Sequence, residues 1–352
     1  MTFDDIETPA VLIDLDRVEA NLKRAQDYAN RHGIRLRPHI KTHKLPRFAK
    51  RQVALGAVGI TCQKLGEAEV MADAGLDDIL LPYNILGAAK LARLRALAAR
   101  VRLAVTADSA VTIDGYARTF ADTPDPLTVL VECDTGAGRA GVQTPEEALA
   151  LARDIEASPG LHFGGLMTYP PKGDPAASET FLARAKALLE AAGLPPASIT
   201  SGGTPDLWRA HEVGAATEYR PGTYIYLDRF QVAQGVGALE DCALTVLATV
   251  VSRPTPTRAV IDAGSKALTS DTLGLPGFGT VLGFPEATIT GLSEEHGVID
   301  LGRGSDRPAV GDRLRIVPNH ACPVSNLFDT IVLVRGAAVE ETVPVAARGR
   351  VT

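Results

Sequence analysis

Short runs of alternating hydrophobic and polar residues recur through the first two thirds of the chain, and most of them precede an alanine-rich amphipathic stretch. Alternation with a period of two is typical of strands, and helical spacing is typical of the longer stretches. Eight such runs predict strands at 34–37, 58–62, 79–82, 102–106, 128–133, 163–167, 199–201 and 217–221. Helices are predicted between them, including 66–74, 88–99, 145–157 and 178–192. This repetition predicts a parallel (β/α)8 TIM barrel, and a doubly wound open sheet is the alternative.

The pattern changes after residue 237, where helical periodicity ends and short strand-like runs separated by Gly and Pro turns begin. These runs predict strands at 244–252, 259–262, 287–290, 297–301, 314–317 and 330–335. An additional strand at 10–15 is expected to join them. We therefore predict a barrel over 16–237 and a mostly antiparallel β domain formed by 1–15 and 238–352.

Composition excludes several classes of function. The chain has 352 residues, of which 45% are hydrophobic and 22% charged, so it can bury a large core. The net charge of -6 and the absence of a basic block argue against nucleic acid as a partner. No apolar run approaches the roughly 20 residues of a membrane span. Four scattered cysteines without CxxC spacing, and an acidic N-terminus unlike a signal peptide, favour a cytoplasmic protein with reduced thiols.

The most informative stretch is 37–44, with the sequence RPHIKTHK. Pro38 ends a predicted strand, so Lys41 is expected at the carboxyl end of that strand, where barrel enzymes carry their chemistry. The nearby basic residues and burial both favour the neutral, nucleophilic form of a lysine amine, which can form an imine with an aldehyde. The alternative is a basic surface loop that binds an anion or no ligand.

Three loops that follow other predicted strands add candidate binding residues. Residues 134–141 form a glycine-rich loop that contains Arg139. Residues 201–205 and 220–224 follow the last two predicted barrel strands, where barrels of this kind often bind phosphate. Ordinary tight turns would explain the same glycines.

A histidine and a cysteine lie two positions apart in the predicted β domain. If His320 and Cys322 belong to an extended segment stiffened by Pro318 and Pro323, their side chains point to the same side. Imidazole and thiolate could then bind one divalent ion such as zinc and leave coordination positions open for catalysis. The alternative is a buried cysteine beside an unrelated histidine.

These motifs, in this order, resemble one known family. Residues 8–16, 37–44 and 62–64, followed by 201–204, 220–224, 294–297 and 318–329, are similar to the metal-activated D-threonine aldolase and D-serine dehydratase family. These are pyridoxal-phosphate (PLP) enzymes with an alanine-racemase-type fold. The resemblance extends over nearly the whole chain, and its PHxKTHK and HxC elements are specific.

The resemblance implies a role for each candidate residue. Lys41 would bind the cofactor covalently, Arg139 would lie near its phenolic oxygen, and Tyr169 would lie close to its ring. His43 is a candidate catalytic base, and His320 with Cys322 would hold zinc or manganese. The remaining implied cofactor-binding residues are Gln63, Ser201, Gly202, Gly203, Thr204, Gly222, Thr223 and Tyr224. Homodimers are typical of the family, with the β domain of one subunit near the barrel of the other.

The resemblance implies a lyase that acts on D-β-hydroxy amino acids and leaves two main activities open. Aldol cleavage would give glycine and an aldehyde, whereas dehydration would give a keto acid and ammonia. Aldolase members have a histidine after the tyrosine that corresponds to Tyr169, but Pro170 follows it here. The HxC pair is typical of dehydratases, whereas residues 325–329 are more similar to aldolases. We favour the aldolase, and a racemase or a non-catalytic PLP carrier is a further alternative.

Overall fold

The computed structural model describes residues 3–303 and 307–352, and residues 1–2 and 304–306 of the predicted β domain lie outside this range. The strands, in chain order, are Ala10–Asp14 (β1), Arg35–Leu36 (β2), Ile60–Thr61 (β3), Asp78–Leu81 (β4), Arg102–Ala107 (β5), Leu127–Cys133 (β6), Leu161–Thr168 (β7), Ser198–Ser201 (β8), Glu218–Tyr219 (β9), Leu244–Thr255 (β10), Arg258–Ile261 (β11), Thr280–Val281 (β12), Thr288–Leu292 (β13), Gly297–Asp300 (β14), Arg313–Val317 (β15), Thr330–Arg335 (β16) and Ala338–Pro344 (β17).

The helices follow the predicted spacing. They are Leu15–His32 (α1), Pro46–Leu55 (α2), Leu65–Asp73 (α3), Ala88–Ala98 (α4), Ala110–Phe120 (α5), Pro145–Ala157 (α6), Pro175–Ala191 (α7), Arg229–Ala233 (α8), Ser265–Leu268 (α9) and Ala321–Leu327 (α10). Short 3₁₀ helices lie at Phe3–Asp5, Ile40–Thr42, Leu207–Glu212, Thr223–Ile225 and Leu239–Asp241. In the described part of the chain, no helix combines the length and apolar character that a membrane crossing needs.

The chain divides into two compact units. Ala25–Lys41, Leu45–Gly222 and Arg350–Thr352 form the barrel unit, and the other described residues form the β unit. The predicted boundary at residue 237 differs from the observed division after Gly222. The residues that follow Gly222 belong to the β unit because their backbone groups form hydrogen bonds within that unit. Arg229 N donates to Pro318 O at 3.0 Å, and Phe230 N donates to Asn319 O at 3.2 Å.

The barrel unit contains a parallel sheet of eight strands in the order β2-β9-β8-β7-β6-β5-β4-β3. A parallel bridge between His39 and Thr61 closes this sheet, supported by a hydrogen bond from Thr61 N to Pro38 O. Leu80, Leu130 and Met167 form an apolar cluster. The predicted (β/α)8 barrel is therefore confirmed.

Helix α6 illustrates how local sequence sets the boundaries of the barrel helices. Thr144 Oγ1 accepts a hydrogen bond from Glu147 N at 3.2 Å, and Thr144 N donates one to Glu147 Oε2 at 3.1 Å, so the two residues form a capping box. Pro145 occupies the first turn, where no backbone donor is required. Helix α6 begins and ends at the predicted residues.

The β unit contains a nine-stranded sheet in the order β11-β14-β13-β12-β15-β10-β1-β16-β17. Strand β1 pairs antiparallel with β10 and parallel with β16, which confirms that the N-terminal strand joins the C-terminal sheet. Its neighbours include Leu247 and Val332, and together with Leu12 they belong to one buried apolar cluster. Strands β12 and β17 were not predicted. All four cysteines are free thiols.

Candidate active site

Lys41 follows the carboxyl end of a barrel strand, as predicted. Strand β2 ends at Leu36, and the chain remains extended as far as the bridge formed by His39. Lys41 then lies in the 3₁₀ turn Ile40–Thr42, half-buried, and its backbone N donates to His39 Nδ1 at 3.3 Å. The end of β2 therefore holds the amine-bearing residue at the end of the barrel where enzymes of this architecture react.

Gln63 contacts the same turn through His39. The distance between His39 Nε2 and Gln63 Oε1 is 2.9 Å. Because Nδ1 of this histidine accepts from Lys41 N, the hydrogen-bond network assigns the proton to Nε2, which donates to Gln63. The structure thus brings Gln63 next to the lysine turn, and it identifies His39 as a supporting residue that the sequence analysis had not assigned.

Arg139 and Tyr169 contact each other at the ends of β6 and β7. The guanidinium carbon of Arg139 lies 4.2 Å from the ring centroid of Tyr169, a distance typical of a cation–π contact. The loop that carries Arg139 is held by Asp134, whose Oδ1 accepts from Gly136 N at 2.9 Å and from Gly138 N at 3.1 Å. Tyr169 is 41% exposed, so its ring is accessible to a ligand.

The loop after β8 has the features of an anion cradle. Ser201 is fully buried, and its hydroxyl has no hydrogen-bond partner among the described residues. A Cβ on Gly202 would lie 2.7 Å from Arg220 N, so only glycine allows this approach of the two loops. Gly203 has φ +143, and a Cβ there would lie 3.9 Å from Tyr169 Cε2. A buried hydroxyl without a partner beside two glycines fits a bound oxyanion.

The two predicted phosphate loops are joined by a hydrogen bond from Gly222 N to Thr204 Oγ1 at 3.2 Å. Beneath them lies Arg220, a buried residue whose role was not predicted. Its guanidinium donates to Thr200 Oγ1 and to Thr168 O, both at 2.7 Å. Burial lowers the pKa of Arg220 to about 10, although nearby carboxylates oppose this shift. The sequence feature that could have indicated a role for Arg220 is its position directly before Pro221-Gly222 in the predicted phosphate loop.

In the β unit, His320 and Cys322 do not lie in an extended segment, and that prediction is wrong. His320 precedes α10 with extended backbone angles, and Cys322 is the second residue of the helix. The helix begins there because buried Asp228 accepts a hydrogen bond from Ala321 N at 2.9 Å. Pro323 is compatible with the first helical turn, since a backbone donor is not needed there.

The two side chains nevertheless meet. His320 and Cys322 are within hydrogen-bonding distance, and the thiol sulfur lies 3.1 Å from Thr42 Oγ1 and 3.4 Å from Thr223 Oγ1. Burial alone would lower the pKa of His320, but Cys322 and Asp271 outweigh it and raise the value to about 9. Thr223 is thus beside the thiol, whereas sequence analysis had assigned it to the phosphate site.

Asp271 orients the imidazole. Its Oδ2 lies 2.6 Å from Nδ1 of His320, which leaves Nε2 as the nitrogen available to other partners. Carboxylates in this position fix the orientation of metal-binding histidines. Residues 3–303 and 307–352 contain no group of three or more His, Cys, Asp or Glu residues that could hold a metal, so the candidate remains a pair of ligands.

The other two candidates of the β unit are buried. His43 has no exposed surface, and Tyr224 is 4% exposed. Tyr224 lies in the 3₁₀ turn Thr223–Ile225. Both positions therefore lie in surroundings from which bulk water is excluded.

Two family models match the chain. One describes the N-terminal domain of alanine racemase and matches residues 13–229, and the other describes a putative serine dehydratase domain and matches residues 243–334. A D-threonine aldolase from Arthrobacter sp is 37% identical over an alignment that covers 98% of this chain and 93% of that protein. This chain belongs to the D-threonine aldolase and D-serine dehydratase family.

Two further members of the family support this assignment. A D-threo-3-hydroxyaspartate dehydratase from Delftia sp. (strain HT23) is 34% identical over 92% of this chain and 93% of its own length. The crystal structure of D-threonine aldolase from Filomicrobium marinum superposes with a TM-score of 0.91 at 35% identity, covering 100% of this chain and 98% of that one. The fold is thus of the alanine-racemase type, and this family member is a PLP-dependent lyase.

Proposed function

We propose that this enzyme is an aldolase that cleaves D-β-hydroxy amino acids of the D-threonine type into glycine and an aldehyde, using PLP and a divalent metal ion. Support comes from the 37% identity to a D-threonine aldolase over nearly the full chain. The observation that carries the proposal is the His320–Cys322 contact flanked by threonine hydroxyls, because a metal-independent racemase would not need such a pair.

The barrel unit fits PLP. Lys41 is the proposed covalent anchor, and Ser201, whose buried hydroxyl has no partner among the described residues, is a proposed phosphate ligand. Arg139 and Tyr169 would contact the ring side of the cofactor. The other proposed cofactor-binding residues are Gln63, Gly202, Gly203, Thr204, Gly222, Thr223 and Tyr224. When bound, PLP supplies an electron sink for charge that develops at the substrate Cα.

The donor set of the β unit fits a metal. Imidazole and thiolate suit zinc better than manganese, which prefers oxygen ligands. We propose His320 and Cys322 as the two protein ligands, with Asp271 orienting the imidazole. A metal bound there would polarise the substrate β-hydroxyl.

Aldol cleavage also requires a base that receives the proton of the β-hydroxyl. We propose His43 for this role, because it is an imidazole two residues after Lys41 in the same segment. The absence of a histidine after Tyr169, where Pro170 stands, makes another base necessary. We further propose that the enzyme acts as a cytoplasmic homodimer, in keeping with its four free thiols.

The second candidate function is dehydration of a D-β-hydroxy amino acid such as D-serine or D-threo-3-hydroxyaspartate to a keto acid and ammonia. It is favoured by the 34% identity to the Delftia dehydratase and by a cysteine rather than an aspartate at position 322. In that reaction the Lys41 amine would remove the Cα proton. A racemase or a PLP carrier would leave the His320–Cys322 pair without a role.

The deciding experiment measures products. Purified enzyme with PLP and zinc, or with PLP and manganese, is incubated with D-threonine, D-serine and D-threo-3-hydroxyaspartate. Glycine and an aldehyde support the aldolase, whereas keto acid and ammonia without glycine would replace it with the dehydratase.

Two variants test the proposed roles separately. Lys41→Ala should lose both the absorbance of the bound cofactor and activity. Cys322→Ala should keep the cofactor absorbance but lose activity that depends on added metal. Full activity of Cys322→Ala after chelation would contradict the metal assignment.

A further inference from the structure

The barrel unit contains a cavity at the amino-terminal ends of its strands, the opposite end from Lys41. Its volume is about 340 Å³. Lining residues stand at or near the start of their strands, for example Arg35 in β2, Arg102 in β5, and Ser198 in β8. No role in the proposed lyase reaction uses this end of the barrel.

The cavity exists because small residues occupy inward-facing positions. Residues two apart on a strand face the same side, so Ala104 points inward together with Arg102. On β7, two strands away, Gly164 contributes no side chain, and a Cβ there would lie 2.4 Å from Thr128 Cγ2 on β6. Larger side chains usually fill barrel interiors. Here the buried side chains of Leu80 and Leu130 line the deep end of the cavity, which is therefore apolar.

The wall of the cavity has an excess of positive charge. Arg37 pairs with both Asp78 and Glu218, with a distance of 3.0 Å from its Nε to Glu218 Oε2. Arg102 Nη2 lies 2.8 Å from the second oxygen of Asp78. Arg35 is the third guanidinium that lines the cavity. Three guanidinium groups therefore face two carboxylates, both of which are already engaged.

Of the three guanidinium groups that line the cavity, that of Arg35 has no carboxylate partner among the described residues. It donates instead to neutral oxygens, to Thr217 Oγ1 at 3.2 Å and to Ser198 Oγ at 3.4 Å. These are long contacts to weak acceptors, and an anion would be a stronger partner. His162, also on the rim, has its own carboxylate neighbour, since Nδ1 lies 3.3 Å from Glu156 Oε2.

We propose that this cavity binds a small aliphatic monocarboxylate. Its carboxylate would pair with Arg35, assisted by the Ser198 hydroxyl, and its apolar chain would lie against Leu80, Ala104 and Leu130. The volume of about 340 Å³ is at the lower end of the range for ligand pockets, and it is large enough for a single short-chain acid. An inorganic anion would leave the apolar deep end without a partner.

Calorimetric titration of the PLP-loaded enzyme with isovalerate tests the proposal. Isopentanol has the same apolar chain without the charge, and inorganic phosphate has charge without the chain. We expect saturable 1:1 binding of isovalerate and at least roughly tenfold weaker binding of both controls, because each lacks one of the two contacts. No heat at roughly 20 mM isovalerate, or equal binding of isopentanol, would overturn the proposal.

Variants locate the bound acid. Arg35→Gln should weaken isovalerate binding roughly tenfold or more, because one charge-assisted contact is removed. Ala104→Leu should abolish binding by filling the cavity. Arg31→Gln, an exposed arginine in the last turn of α1, is the matched control and should leave binding unchanged.

A crystal of the PLP-loaded enzyme soaked in 2-bromo-3-methylbutanoate supplies an independent location through the anomalous signal of bromine. We expect a peak among Leu80, Ala104 and Leu130. Binding that persists undiminished in Arg35→Gln, or a bromine peak only near Lys41, would refute the site. The Arg35→Gln variant changes a side chain at the rim, so it remains informative if Ala104→Leu does not fold.

Discussion

Replacing Asp271 tests how much the orientation of the His320 imidazole contributes to metal binding, while the proposed ligand His320 itself is kept. In the native protein Oδ2 of Asp271 lies 2.6 Å from Nδ1 of His320. Asp271→Ala removes this contact and frees the imidazole to rotate. Asp271→Asn keeps an acceptor oxygen but removes the charge. Both variants leave His320 and Cys322 in place.

The expected loss follows from the geometry and exposure of the pair. A hydrogen bond to a charged group contributes about 1.5–3 kcal/mol when shielded from water. The Asp271 side chain is 41% exposed, so solvent screening places its contribution lower, at about 1–2 kcal/mol. This corresponds to roughly 5- to 30-fold weaker metal binding for Asp271→Ala. Asp271→Asn should lose about half of that free energy, because it keeps the acceptor.

The assay is a zinc competition titration against a chromophoric chelator, carried out with the PLP-loaded enzyme. It reports metal affinity directly and does not depend on turnover. The matched control is Asp300→Asn, which removes an exposed carboxylate of the same unit that accepts from Gly302 N at 3.0 Å. If Asp271→Ala binds zinc as tightly as the parent, His320 does not need this partner, and the assigned orienting role is wrong.

Three further predictions concern stability and cofactor binding. A Cβ on Gly165 would lie 1.8 Å from Ser198 O, so Gly165→Ala should lower the free energy of unfolding by more than about 4 kcal/mol. Gly193 has φ +75 and open space around it, so Gly193→Ala should lower this free energy by only about 1–2 kcal/mol. Equal midpoints of urea unfolding for the two variants would contradict this prediction. Burial raises the pKa of Asp228 to about 6, so the stability contributed by its protonated form is lost as the pH rises from about 4 to 6. In the metal-free protein, the free energy of unfolding of Asp228→Asn relative to the parent should therefore increase by up to about 3 kcal/mol between pH 4 and 7. A difference between variant and parent that does not change with pH would refute this prediction. Ser201→Ala should weaken PLP binding roughly two- to tenfold in a fluorescence titration. It should not lower the free energy of unfolding, since the Ser201 hydroxyl has no hydrogen-bond partner in the described protein. Unchanged PLP affinity would argue against a contact between Ser201 and the phosphate.

The barrel was predictable because its strands are short, alternate in polarity and are each followed by a helix. All eight predicted barrel strands overlap observed ones. The two strands that were missed have physical reasons. Strand β12 contains only Thr280–Val281, which is too short for a period to be visible. Strand β17 at Ala338–Pro344 is largely exposed, so it lacks the apolar face on which the prediction depends.

The candidate site was predictable where it depends on local sequence and not where it depends on distant contacts. Lys41 follows β2 because Pro38 ends that strand, and both facts are local. The conformation at Cys322 was not predictable, because the cap of its helix comes from Asp228, 93 residues away from Ala321. Likewise, the partner of His320 is 49 residues distant along the chain. Such pairings depend on the completed sheet.

The position of β1 has a consequence for biosynthesis. Leu12 pairs with Thr245 on one side and with Val332 on the other, so this segment is synthesised long before either of its partner strands. Until then its fully buried Val11, Leu12 and Ile13 are exposed on a nascent chain. Closure of this sheet is therefore a late event of high contact order, and ribosome-bound intermediates should require chaperone protection of their N-terminal segment.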